Sequence, residues 1–279
     1  MSATTTIAPL QRSVSKLSFG GVIRSEWIKL RSLRSTVWAF MILVAMSLGM
    51  AWLMGSSMVD GLVDSGEAAN APVEQVRSLM LSSSTVGVFF GQLVVGVLGV
   101  LIISGEYSTG MIRSTLTAVP RRLPALAGKA IVLAASTFVI GLLSTFGAFA
   151  IVSITFGEHA AVAPITDADV FLPLIGGAAY LALTALFALG VGTAIRSSAG
   201  GIAAVLGFLL LLPTVLQMIP AEWVQDLIPY LFSTAGMGMF GQTSFTGEID
   251  SVIENLLIVL AWVAAALAGA GILLKRRDA

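Results

Sequence analysis

The chain has no cysteine, a single histidine and few charges. Without cysteine there is no disulfide framework, no thiolate metal site and no cysteine nucleophile. The lone histidine, His159 in FGEHAAVAP, reads as a solvated loop residue and leaves no basis for a His-built metal site within one chain. Charged residues make up 11% of the sequence, where a soluble domain carries about a quarter. No GxxxxGKS/T phosphate loop exists: the only Gly-Lys pair, Gly128–Lys129, is followed by Ala130 and lacks the preceding glycine spacing. HExxH and GxSxG are also missing, and no apolar run holds a pair of carboxylates. Intramembrane proteolysis and lipid-processing chemistry need such groups at depth. The chain is therefore expected not to be an enzyme and to carry no cofactor, metal or nucleic-acid site.

What is present is grease. Hydrophobic residues make up 57% of the 279 residues, and the mean hydropathy is +0.96. A hydrocarbon core about 30 Å thick needs roughly 20 helical apolar residues, each rising about 1.5 Å. Six stretches qualify: 37–54, 85–104, 130–156, 171–195, 200–219 and 254–274. The expectation is an all-α polytopic membrane protein, with residues 1–21 a flexible N-terminus and 22–279 one six-span domain. The N-terminal stretch lacks an apolar core and does not read as a cleavable signal peptide.

Orientation follows from the basic residues. Fourteen of the fifteen Lys and Arg fall before the first span, between the second and third, at Arg196, or in the tail; Arg77 alone lies on the other side. Both termini are expected in the cytosol. The acidic residues gather mostly on the opposite side, as solvated loop charge.

Before the first span, residues 22–36 (VIRSEWIKLRSLRST) form an amphipathic pattern. At about 100° per residue, Val22, Ile23, Trp27, Leu30 and Leu33 share a face, while Arg24, Arg31 and neighbouring serines share the other. An in-plane elbow helix is expected there, with Ile23, Trp27, Leu30, Arg31 and Arg34 as its marker residues, the tryptophan at headgroup depth and the cations near anionic lipid. A merely positive flank that fixes topology is the competing reading. Residues 220–251 are too apolar for a free loop and are broken by Pro220 and Pro229. Short interfacial or re-entrant helices fit there, either as a gate or as simple packing. Glycines such as Gly87 and Gly91 suit close helix approach, within the chain by default or else between subunits.

The stretch GEYSTGMIRSTLTAVPRRLPALAGK, residues 105–129, concentrates charge between two apolar runs. Glu106 stands where the second run stops, Gly110 permits a turn, and Pro120 ends any helix begun at Glu106. A short cytosolic helical stub fits these residues, and so does a solvated basic loop held at the headgroups. No ionisable residue lies at membrane depth, so the chain has no visible energy source of its own.

The order EWxKLRSLRST, two spans, GEYSTGMIRSTLTAVPRR and four further spans resembles the type-two ABC export permeases of Gram-positive, especially actinobacterial, genomes. The resemblance covers essentially everything after about residue 20. It implies a coupling helix at about residues 106–116 that docks on a cytosolic ATPase, with Glu106 at its start and Tyr107, Gly110, Arg113 and Leu116 as coupling residues. It also implies ABC ATPase subunits that hold the ATP and Mg, a second permease copy in a homo- or heterodimer, and a substrate path along the dimer interface. For that path, Phe89, Phe90 and Gln92 of the second span and Phe208, Thr214 and Gln217 of the fifth are the candidates. Two alternatives stand beside it: a non-transporting scaffold, immunity or assembly factor, and a secondary transporter.

Overall fold

A computed structural model describes residues 18–66, 71–111, 122–157, 162–242 and 251–276. Every regular element among them is helical, and six helical stretches are long and apolar enough to cross a membrane.

Helix α1 (Phe19–Ser32) is opened by Ser18, whose Oγ accepts the Gly21 N–H at 3.1 Å. Leu33 is extended (ψ 116°) and breaks the chain before α2 (Arg34–Asp64). That break redirects the backbone from α1, which packs on α4, to α2, which runs along α3 and α4. The expected elbow of residues 22–36 is thus corrected: the helix starts and ends earlier, and Arg34 belongs to the first long helix. Of its marker residues, Leu30 is buried, Ile23 is half-buried, and Trp27 and Arg31 are exposed.

Helices α3 (Val73–Ser108), α4 (Arg122–Gly157) and α5 (Ala168–Ile195) follow. The fifth span is composite: α6 (Ser198–Leu206), one π-helical turn (Gly207–Leu211) and α7 (Leu212–Gln217). In that turn the Leu212 N–H reaches back to the Gly207 carbonyl. The widened turn sits directly before Pro213, which has no N–H to give to the ladder. Short helices α8 (Glu222–Gln225) and α9 (Phe232–Gly238) flank a 3₁₀ turn at Ile228–Tyr230, and α10 (Val252–Arg276) closes the chain. The short helices expected between the last two spans are these.

The helices overrun the apolar stretches that announce them. Helix α3 has 36 residues, about 54 Å at 1.5 Å each, against a core about 30 Å thick. Its first turns, VEQVRSLMLSSS, continue the helix with polar residues that a count of apolar ones passes over.

Helices α3 and α5 form the centre. In their most apolar stretches 61% and 67% of residues are buried, against 17% for α2 and 22% for α10. Small residues permit this. A Cβ built at Gly99 would lie 2.5 Å from the Ala185 carbonyl oxygen of α5, and one at Gly87 would lie 2.5 Å from Cα of Ser47 on α2. The Gly87/Gly91 pair therefore serves packing within the chain, where backbone approach replaces the missing hydrophobic drive.

Candidate functional site

Four charged side chains converge where α1, α3 and α4 meet. Glu26 and Lys29 stand one turn apart on α1, Glu106 lies in the last turn of α3, and Lys129 lies in the second turn of α4. Lys29 Nζ donates to Glu26 Oε1 at 2.8 Å and to Glu106 Oε1 at 3.0 Å. Lys129 Nζ donates to Glu26 Oε2 at 2.5 Å and to Glu106 Oε1 at 2.8 Å. Cations and anions alternate around a closed ring of zero net charge. Glu26, Glu106 and Lys129 are each no more than 6% exposed. Such burial is tolerable only because every charge meets two of opposite sign. Burial alone would push Lys29 down, but hydrogen bonding and attraction to Glu26 and Glu106 outweigh it and hold its ammonium above the ordinary lysine range. One oxygen, Glu106 Oε2, is buried without a hydrogen-bond partner. A cavity of about 410 Å³ adjoins the ring, lined by all four charges and by apolar residues such as Leu30 and Ile102.

This corrects the expected place of Glu106 in the chain. It does not open a short helix on the surface; it ends a long one, facing inward. An amphipathic count of one segment cannot reveal partners 23 and 77 residues away. Lys29 and Lys129 were legible only as positive flank and loop charge, and Glu26 was not singled out. The one local signal was the Glu26–Lys29 pair at i,i+3, which ordinarily means little on an exposed helix.

The neighbouring coupling candidates are partly pinned. Tyr107 is half-buried, with the Arg196 guanidinium 5.2 Å from its ring centre. Arg196, at the α5–α6 joint, holds a left-handed φ of 59°. Gly110 takes φ 71° just after α3, a conformation that favours glycine. Arg113 and Leu116 lie outside the described residues. Ser198 Oγ donates to Ser104 Oγ at 2.8 Å, a second tie between α3 and the fifth span.

The six path candidates separate into two groups. Phe89, Thr214 and Gln217 line one cavity of about 320 Å³, together with Ser233, Thr234 and Gln242 of the segment after the fifth span. Among the described residues, no charged one lines it. Gln92 is fully buried instead, and its Oε1 accepts the Tyr180 hydroxyl at 2.5 Å. Phe208 is stacked 5.1 Å from Phe187 and edge-on to Trp262 at 5.0 Å. Phe90 meets Phe89 edge-on. Gln92 is thus a core residue and Phe208 is half-buried against the core, placements that side-chain type alone does not disclose.

Six long apolar helices, with ionised residues gathered at the end of a central one, define a polytopic α-helical membrane protein. Residues 22–214 match the family model of the ABC-2 family transporter proteins, and the chain belongs to that family. The match runs from α1 through the start of α7 and takes in residues 105–129. This is the membrane part of an ABC transporter, a domain without catalytic activity of its own. No curated protein matches the chain.

Proposed function

We propose that the chain is the permease subunit of an ATP-driven exporter, acting as a dimer and moved by separate ATPase subunits that bind ATP and Mg. Both termini face the cytosol, and the ATPase docks on the segment that follows α3, around residues 109–121. The observation that carries this reading is the charged ring. Glu106 precedes that segment and Lys129 follows it; Lys129 is tied to Glu26 and Glu106 to Lys29, both on α1, and Glu106 and Lys129 are tied to each other. A push on the intervening residues would therefore move α1, α3 and α4 together rather than bend a loose loop. Because α3 is central, displacement at its cytosolic end reaches Phe89 and the cavity it shares with Thr214 and Gln217, the proposed part of the substrate path. The uncharged lining suits an amphiphilic or apolar substrate.

The absence of native cysteine makes the test clean. Arg113→Cys and Leu116→Cys, expressed with the ATPase, should each form an adduct with a single cysteine placed in the ATPase cleft. Export from inside-loaded cells should fall at least tenfold on ATP depletion and survive collapse of the ion gradient. Flux that follows the gradient and ignores ATP would replace this reading with secondary transport. Docking with no flux of any compound would leave a scaffold.

A further inference from the structure

Beside α1, next to the charged ring and sharing Leu30 with its cavity, runs a groove of about 560 Å³ between α1, α2 and α4. Its walls include Val37 and Phe40 of α2 and Val139 of α4, and Trp27 and Arg31 of α1 also line it. No carboxylate lines it, and Arg31 has no ion pair among the described residues. Thr36 also lines the groove; it is 1% exposed and its hydroxyl has no hydrogen-bond partner. A helical threonine ordinarily bonds the carbonyl one turn earlier. The carbonyl one turn before it, Leu33 O, instead accepts the Thr36 and Val37 N–H groups at 3.1 and 3.4 Å. Ser136, on the opposite wall, shows the usual arrangement, donating to Val132 O at 2.6 Å.

We propose that this groove is a binding site for one anionic phospholipid. An acyl chain lies along Val37, Phe40 and Val139, and the phosphate takes the Arg31 guanidinium, the Thr36 hydroxyl and the positive end of the 31-residue helix α2. Trp27, 44% exposed, sits at the rim, where an indole suits headgroup depth. Charge complementarity selects the occupant: an apolar trough whose one ionised wall residue is a cation fits an anionic lipid better than a zwitterionic one. The inference requires only that the chain spans a membrane, so it stands or falls apart from export.

The test is native mass spectrometry of the full-length chain released from nanodiscs that contain phosphatidylglycerol or phosphatidylcholine. Retention should favour phosphatidylglycerol. Arg31→Gln should weaken that lipid about fivefold, the equivalent of about 1 kcal/mol per basic residue at a charged surface, and leave phosphatidylcholine unchanged. Val139→Trp should displace both lipids, and Thr36→Val should weaken phosphatidylglycerol alone. Equal retention of the two lipids, indifferent to all three variants, would overturn the proposal. So would glycerol 3-phosphate competing as well as the intact lipid, or spontaneous disulfide pairing of Val139→Cys between two copies, which would make a second copy the occupant.

Discussion

The Glu106 carboxylate holds two ammonium groups and leaves one oxygen unpartnered, so the ring is sensitive to the loss of any single member. Removing one partner from a buried ion network destabilises by about 3–5 kcal/mol, because it leaves charge uncompensated. Glu106→Ala is expected to fall in that range by detergent-solubilised thermal unfolding, and Lys129→Ala likewise. The double variant Glu106→Ala/Lys129→Ala should lose clearly less than the sum; strict additivity would mean that the two do not act as a pair. Lys29 supplies a pH dependence. Its folded ammonium titrates above its ordinary value of 10.5, so its stabilising contribution is complete below that value and disappears as pH climbs through the raised one. Lys29→Met should flatten the alkaline limb of the stability curve and leave the neutral region otherwise unchanged in shape. Beyond the Glu26–Lys29 pair, this ring was not readable from spacing, since it joins residues far apart in sequence. The candidates chosen by position, Glu106 above all, were read as surface because the one-dimensional pattern places them at the edge of an apolar run.

Among elements, the composition of α3 limits what can replace it. A side chain larger than hydrogen at Gly99 must displace the α5 backbone, so Gly99→Val should destabilise by about 1–3 kcal/mol through overpacking. Gly269→Ala on α10, where nothing lies within 4 Å, should change the melting temperature little. A spanning helix interior that tolerated both alike would contradict the packing described. The segment after the fifth span depends on Tyr180 in a similar manner. Phe232 and Phe240 lie 5.6 and 5.9 Å from its ring, and a Cβ at Gly236 would overlap it. Gly236→Leu should unseat α9 and raise the labelling rate of a cysteine placed at Ser233, itself 2% exposed. Tyr180→Phe removes only the hydrogen bond to Gln92, and such bonds within membranes average about 0.6 kcal/mol. Its effect should be small and should leave that labelling unchanged. Existence and order of the long helices were legible because apolar length is a strong signal. Their ends were not, since helical hydrogen bonding continues through polar turns such as those at the start of α3. The break at Leu33 carries no Gly or Pro to announce it.

For the molecule as a whole, orientation is the property on which the functional reading most depends. Single-cysteine variants at Arg31 and Arg276 should react with an impermeant maleimide only in inside-out vesicles. Asp64→Cys and Asp226→Cys should react only in intact cells or right-side-out preparations. A reversed pattern would put the charged ring outside, beyond the reach of an ATPase. The asymmetry of burial has a further meaning for how such a protein changes over time. Helices α3 and α5 accept only small-for-small replacements where they touch, whereas α2 and α10 turn most of their surface outward. In duplicated copies of the gene, substitutions should therefore collect on the periphery first, letting descendants acquire different neighbours or cargo while the central pair stays nearly fixed.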